Sequence, residues 1–249
     1  MKAADLCIIG GGVMGTAIAW RCAIQGAHVV LLEAKAIAQG ASGAAAGMFA
    51  AQAEASAPGP LFEAAVTSRT LLEQWIPQLE EESGIDVGYV TSGLLRTARG
   101  HEEAALLQQR IAWQKEAGCQ VVWLEEDLLR QEEPLLFTPP SEAARWAPPV
   151  GALFCPDDRL VIAPRLVLAF ARAARLLPQL AQPPFALTAV RGQILALRPA
   201  VETVPNHTLF AGPGQYLVPK GNGMLLAGSV EEAAAVLAQP TLSTIAHLA

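Results

Sequence analysis

The sequence predicts a mixed α/β fold, opened by a parallel β–α–β unit and closed by antiparallel strands. Residues 6–33, LCIIGGGVMGTAIAWRCAIQGAHVVLLE, place an apolar strand, a glycine turn, a helix and a second apolar strand in succession. Mixed α+β material, helical stripes alternating with short strands, fills the middle of the chain. From residue 192 onward the chain breaks into short apolar runs, GQILALR, HTLF, QYLVP and GMLLAGS, set off by Gly, Pro and Asn. Runs of that kind read as short strands.

Each element follows from local pattern. Residues 5–9 and 28–32 are nearly all apolar, as strands buried in a parallel sheet are. Residues 34–60 form a long Ala/Gly/Ser/Pro segment, a length that in a compact domain marks function or disorder. Phe62, Val66, Arg69, Leu72, Ile76 and Leu79 then fall at helical spacing, with Trp75 beside them; Pro77 implies a kink and Gly84 a stop. Residues 85–98 read as two short strands around Ser92-Gly93. A helix over 101–117 ends at Gly118, a strand follows at 120–124, and a short acidic helix over 125–133 ends at Pro134. Pro139, Pro140, Pro148 and Pro149 punctuate an irregular connection. Residues 152–164 read as a strand, a turn at Asp157-Asp158 and a helix entry at Pro164, which tolerates the missing N–H. Leu166, Phe170, Ala173 and Leu177 make that helix's stripe. Gly-Pro-Gly at 212–214 and Asn222-Gly223 separate the last strands, and Asn-Gly is a strong hairpin signal.

Within residues 6–33 the glycines have fixed spacing, Gly10-x-Gly12-x-x-Gly15. Gly10 permits a tight turn, Gly12 lets backbone approach a pyrophosphate, and Gly15 lets helix pack closely on strand. The phosphates would sit at the positive end of the helix that starts near Val13. Glu33 follows roughly twenty residues on, where a carboxylate can accept from a ribose diol. Strand, turn, helix, strand and acid together form a Rossmann-like dinucleotide-binding fingerprint in its required context.

Composition narrows the remaining classes. The chain has 249 residues, 52% of them hydrophobic, enough for one large domain or two interleaved ones. The 17 basic and 23 acidic residues give net −6, and no basic block stands out, so nucleic acid is not an expected partner. Cys7, Cys22, Cys119 and Cys155 are scattered without a CxxC or a Cys/His cluster, so no metal site is expected. Cys7 and Cys22 read as small apolar fillers, and the cysteine usage fits a reducing compartment. Residues 6–20 imitate a signal peptide, but the fingerprint explains them better, and no apolar run is long enough for a membrane span. The expectation is a soluble, cytoplasmic protein. His28 and His207 have no partner motif and read as structural.

A second motif, ASGAAAGM at 41–48, follows Glu33. With EESGIDVGYVTSGLLRTA, LFCPDDRLVIAPRLVLAFARAA, VRGQILAL and QYLVPKGNGMLLAGSVEE in this order, the chain resembles the flavin-dependent D-amino-acid oxidase superfamily, and most closely the glycine oxidases of thiamine biosynthesis. The resemblance covers nearly the whole chain. It implies a Rossmann-like FAD-binding domain from residues 1–84 and 150–178, interleaved with an antiparallel-sheet substrate domain from 85–149 and 179–249. It implies FAD as cofactor, contacted at Gly10, Gly12, Val13, Met14 and Gly15, at Glu33 and Ala34, at Ala41 and Ser42, and at Ala46, Gly47 and Met48 beside the ring. Bulk-free Ala and Gly suit a backbone lying against a flat ring, and N–H groups there stabilise negative charge. The other reading of 41–48 is a disordered Ala/Gly linker. Tyr216 matches a tyrosine that donates to the substrate carboxylate, and Met48 matches a pocket wall; the other reading is a half-buried strand tyrosine and a core filler. The implied reaction is oxidative deamination of a small amino acid or amine to an oxo acid and ammonia, with dioxygen as partner and hydrogen peroxide as product. Glycine, sarcosine and small D-amino acids all fit. A homo-oligomer is compatible with the resemblance.

The chain also departs from that pattern. LAFARAA (168–174) runs almost directly into the segment before VRGQILAL, without the β-excursion and returning strand the resemblance calls for. A sheet without those strands would expose apolar edges. The sequence given stops at Ala249, before an arginine expected to pair with the substrate carboxylate. Arg191 and Arg198 lie in the wrong motif to replace it, and Val230 or Glu231 stands where relatives place a pocket methionine. These departures predict an incomplete fold with low or no oxidase activity. Two alternatives remain: a degenerate, non-catalytic flavin-binding fragment, and an NAD-dependent dehydrogenase that uses the same fingerprint.

Overall fold

The computed structural model describes residues 3–138, 147–176, 190–199, 204–212, 215–221 and 223–233. In chain order the elements are β1 (Leu6–Ile9), α1 (Val13–Ile24), β2 (Val29–Leu32), α2 (Ala41–Ala44), β3 (Met48–Phe49), α3 (Pro60–Ser83), β4 (Leu94–Ala98) and α4 (His101–Glu116). There follow β5 (Val122–Glu125), α5 (Glu126–Glu132), a 3-10 turn (Pro134–Phe137), β6 (Gly151–Cys155), β7 (Arg159–Leu160), α6 (Ala163–Ala173), β8 (Val190–Leu197), β9 (Thr208–Gly212), β10 (Gln215–Pro219) and β11 (Leu225–Ala233). Expectations for Pro139, Pro140, Leu177, Pro213, Gly214 and Asn222 lie outside the described residues, as do the side chains of Arg191, Val230 and Glu231.

The chain divides into two compact units. The first comprises Met1–Met48, Thr70–Tyr89 and Leu160–Leu187; the second comprises Phe49–Arg69, Val90–Arg159 and Thr188–Ala249.

In the first unit β1 and β2 pair in parallel, Leu6 opposite Val29 and Ile9 opposite Leu32. α1 is the crossover, and it packs on α6 through Trp20 and Phe170, whose ring centroids lie 5.5 Å apart. Trp20 is fully buried, and its Nε1 donates to Glu82 Oε2 at 2.7 Å, so the indole's one donor is satisfied. Arg21 lies over the Trp75 ring at 4.7 Å, in cation–π geometry. α6 begins with Pro164 in its first turn and buries Leu166, Val167, Ala169 and Phe170.

The predicted burial of the first strand does not hold. Ile9 is 51% exposed and Cys7 is exposed rather than packed as a filler. Among the described residues this sheet has two strands, so both are edges and neither is flanked on both sides. Residues 85–89 are not a strand either: only Val90 makes a bridge before β4. Gly88 sits at φ +65, the Val87 N–H is taken by Glu80 Oε1 at 2.8 Å and the Gly88 N–H by Asp86 Oδ1 at 2.7 Å, so side chains occupy the donors that a strand would use.

The second unit is built on a seven-stranded sheet in the order β5-β6-β4-β9-β10-β11-β8. It is antiparallel except where β4 pairs with β9 in parallel. Leu95, Leu129, Ala152 and Leu209 form a buried cluster on one face, with Phe137, Phe154 and Leu217 packed against it. The β10–β11 hairpin turns at Gly223, φ +75, and closes with the Lys220 N–H donating to Met224 O at 2.8 Å. His207 does have a partner. Glu133 is fully buried, accepts from the backbone N–H of Asn206 at 2.7 Å and of His207 at 3.0 Å, and lies 3.4 Å from His207 Nδ1. The two residues are 74 positions apart, beyond any local motif.

Candidate functional site

The fingerprint folds as a tight turn at the start of α1. Gly10 has φ +107 and donates its N–H to Leu32 O at 2.7 Å, which ties the turn to β2. A Cβ on Gly15 would stand 2.0 Å from Gly10 O, so only glycine lets helix and turn approach this closely. Space beside Gly10 is open: nothing lies within 4 Å of where its Cβ would be.

Glu33 reaches back to this turn. Its Oε2 accepts from the Gly11 N–H at 2.6 Å and its Oε1 from the Lys35 N–H at 2.9 Å. The Lys35 and Gly11 N–H bonds hold the carboxyl below its ordinary value, against a smaller opposing effect of burial. Ser42 completes the arrangement, its hydroxyl accepting from the Val13 N–H at 3.0 Å. The N–H groups of Met14 and Gly15 have no acceptor within their own helix, because the first turn of any helix lacks one. Met14 is 73% exposed at this end. Backbone donors, a positive helix end and an open approach at Gly10 suit a pyrophosphate, and an oriented carboxylate can accept from a ribose, so the residues fit a dinucleotide.

Residues 41–48 are folded and packed rather than extended as a linker. Ala41–Ala44 form α2, which packs on α6. A Cβ on Gly43 would stand 1.7 Å from Ala38 O, and one on Gly47 would stand 2.2 Å from Val161 O. Gly47 also has φ +80, and its carbonyl accepts from the Val161 N–H at 2.8 Å. Ala46 is buried, Met48 is half-buried and Ala34 is exposed. The first unit thus gathers Gly10 to Gly15, Glu33 and Ser42 into one network, and carries Ala46, Gly47 and Met48 on the same segment as Ser42.

Tyr216 stands in the second unit, on β10. It pairs with Phe210 on β9 and Gly228 on β11, and Phe210 in turn pairs with Arg96 on β4. The four residues form one row across the sheet. Its rings are edge-to-face at 5.9 Å, and the Arg96 guanidinium lies 6.0 Å from the Phe210 ring. A Cβ at Gly228 would come within 2.3 Å of Tyr216 Cζ, so the phenol lies directly on the glycine. Sequence reasoning missed this row, although a glycine inside a strand pattern signals close approach. It also missed the buried pair of Arg69, placed in an apolar stripe, and Asp158, placed in a turn.

The DAO family, described as FAD dependent oxidoreductase, matches residues 5–177. The chain belongs to this family. FAD is therefore the family's cofactor, which decides against the nicotinamide alternative. Glycine oxidase of Geobacillus kaustophilus (strain HTA426) is 38% identical over 170 residues, covering 68% of this chain and 43% of that protein. The bifunctional protein ThiO/ThiG of Synechocystis sp. is 27% identical over 273 positions, covering 92% of this chain and 39% of that protein. The crystal structure of glycine oxidase from Geobacillus kaustophilus superposes with a TM-score of 0.85 at 29% identity, covering 98% of this chain and 76% of that one. The chain thus spans less than half the length of these curated relatives. The superposition agrees with the predicted fold class, a Rossmann-like unit and a largely antiparallel sheet. Among the described residues no helix is long and apolar enough to cross a membrane.

Proposed function

We propose that residues 6–48 hold FAD, and that the protein oxidises glycine or another small amino acid or amine to an oxo acid, ammonia and hydrogen peroxide, serving thiamine biosynthesis. The observation that carries the reading is the joined network of turn, acid and second motif: Gly11 N–H to Glu33, and Val13 N–H to Ser42. The N–H groups of Met14 and Gly15 face the pyrophosphate, Glu33 and Ala34 hold the adenosine ribose, and Ala41 and Ser42 flank the phosphates. Ala46, Gly47 and Met48 line the ring. When bound, FAD supplies the two-electron acceptor. Tyr216 donates a hydrogen bond from its hydroxyl to the substrate carboxylate and so orients the Cα–H. Orientation alone can supply much of the rate in such a site. The partners are the amino acid or amine and dioxygen, in the cytoplasm.

The domain division proposed from sequence, 1–84 with 150–178 and 85–149 with 179–249, assigns the FAD role to the first set and the substrate role to the second.

The test is to purify the full chain, add FAD and follow flavin fluorescence and the visible spectrum, then add glycine, sarcosine or a small D-amino acid without oxygen. A saturable flavin complex whose colour one of these substrates bleaches supports the proposal. A chain that takes up no FAD overturns it. A yellow chain that no substrate bleaches puts the non-catalytic flavin-binding alternative in its place. Peroxide measured with oxygen present decides the expectation of low turnover.

A further inference from the structure

We infer that Arg96 and Arg110 form a binding site for a small oxyanion, a carboxylate or a phosphate, within the second unit. The site stands apart from the FAD reading, because both arginines and the carbonyls they bind belong to that unit.

Arg96 lies on β4 and Arg110 on α4, and both are half-buried. Each donates to a carbonyl of one short segment: Arg96 Nη1 to Ala53 O at 3.0 Å, and Arg110 Nη1 to Ala55 O at 2.7 Å. A guanidinium carries several further N–H donors. The Arg96 Nε–H is buried and meets no acceptor among the described residues. No carboxylate among the described residues forms an ion pair with either arginine. Arg69, which binds the same segment at Gln52, shows the contrast. Asp158 Oδ1 lies 2.6 Å from its Nη1, and Asp157 Oδ2 lies 3.8 Å from its Nη2. Glu103 is the acid felt at Arg110, but its Oε2 accepts from the Arg99 N–H at 2.9 Å.

Two half-buried cations that feel each other's charge are costly to hold. Burial lowers the Arg110 pKa from its ordinary value, and the charge of Arg96 lowers it further. Backbone carbonyls ease the desolvation but carry no net charge to cancel the repulsion. An anion in reach of both guanidiniums would cancel it and give the orphan N–H an acceptor. An oxyanion suits the pair best, since each planar fork can meet two oxygens at once. A buried N–H admits only a small one.

The experiment uses the full chain without FAD, isotope-labelled so that arginine Nε–H signals are followed by NMR. Glycolate, and separately inorganic phosphate, is added at constant ionic strength. Arg96→Lys and Arg110→Lys assign the signals by their loss. The expected result is that one or both anions shift the two signals and saturate. Arg96→Lys keeps the charge and lacks the fork, so it should weaken binding at least about tenfold, read at the remaining Arg110 signal. Arg130→Met removes one charge of an exposed ion pair in the same unit and should leave affinity unchanged. Saturation by glycolate alone makes the ligand a carboxylate, and by phosphate alone a phosphate; saturation by both supports a site for either. Shifts that grow without saturating are general screening and overturn the inference. Unchanged affinity in Arg96→Lys, or equal weakening in Arg130→Met, overturns it too. If Arg96→Lys does not fold, Arg110→Met takes its place with the same expected weakening, read at the Arg96 signal, because it keeps an apolar stem.

Discussion

The phenol of Tyr216 lies on the Cα of Gly228, its cross-strand neighbour, with no room for a methyl group between them. A Cβ at position 228 would meet Cζ at 2.3 Å and the hydroxyl oxygen at 2.4 Å. Gly228→Ala should therefore turn the phenol away or part the strands, costing about 1–3 kcal/mol as overpacking does. Urea denaturation of the full chain measures it. Tyr216→Phe keeps the ring and loses the hydroxyl, so it should weaken a small carboxylate ligand of the FAD-loaded chain by roughly fivefold, the worth of about one hydrogen bond. Equal affinity in Tyr216→Phe would count against the proposed role of the hydroxyl.

Gly47 combines two requirements. Its φ of +80 disfavours any side chain, and a Cβ would stand 2.2 Å from the Val161 carbonyl, a backbone atom that cannot swing aside. Gly47→Ala should cost more than about 2 kcal/mol, from strain and steric overlap together. It should also lower FAD affinity in titration. Gly221→Ala is the contrast, since nothing lies within 4 Å of its added Cβ, and it should sit within about 0.5 kcal/mol of wild type.

The carboxyl of Glu33 titrates with a definite sign. Its backbone hydrogen bonds lower the folded-state pKa below the ordinary 4.5. Its contribution to stability is therefore fully present above pH 4.5 and is lost as pH falls through the lowered value. Glu33→Gln should be less stable than wild type near neutrality, and the two denaturation midpoints should converge as pH falls through that lowered value. A gap that stays constant on acidification would mean the side chain acts through shape rather than charge.

These residues also show what can be read without coordinates. The spacing from Gly10 to Glu33 is legible because turn, helix and acid are local and each glycine has a steric reason. The hairpin after Pro219 is legible for the same reason. The partner of Arg69 is not: periodicity places Arg69 on the buried face of a helix, but Asp158 is 89 positions away and only the tertiary fold brings it in. Ladder register likewise hides the glycine beneath Tyr216. Burial of residues 5–9 is not legible either, because an apolar run reports what a strand can tolerate, while exposure depends on how many strands lie beside it.

Lys220 gives the last test. It follows β10 at the hairpin, and burial lowers its amine from 10.5 to about 8. The unfolded chain then holds a proton that the folded chain has released between pH 8 and 10.5, so stability rises with pH across that window. Below pH 8 the folded protein holds the amine as a partly buried ammonium, which costs stability. Discounted for its partial exposure, that cost is about 1–2 kcal/mol. Lys220→Met removes the charge and keeps a flexible apolar stem. Wild type should gain stability relative to Lys220→Met between pH 8 and 10, as followed by urea midpoints in parallel buffers. Parallel midpoints across that window would show that the amine remains hydrated in the folded state.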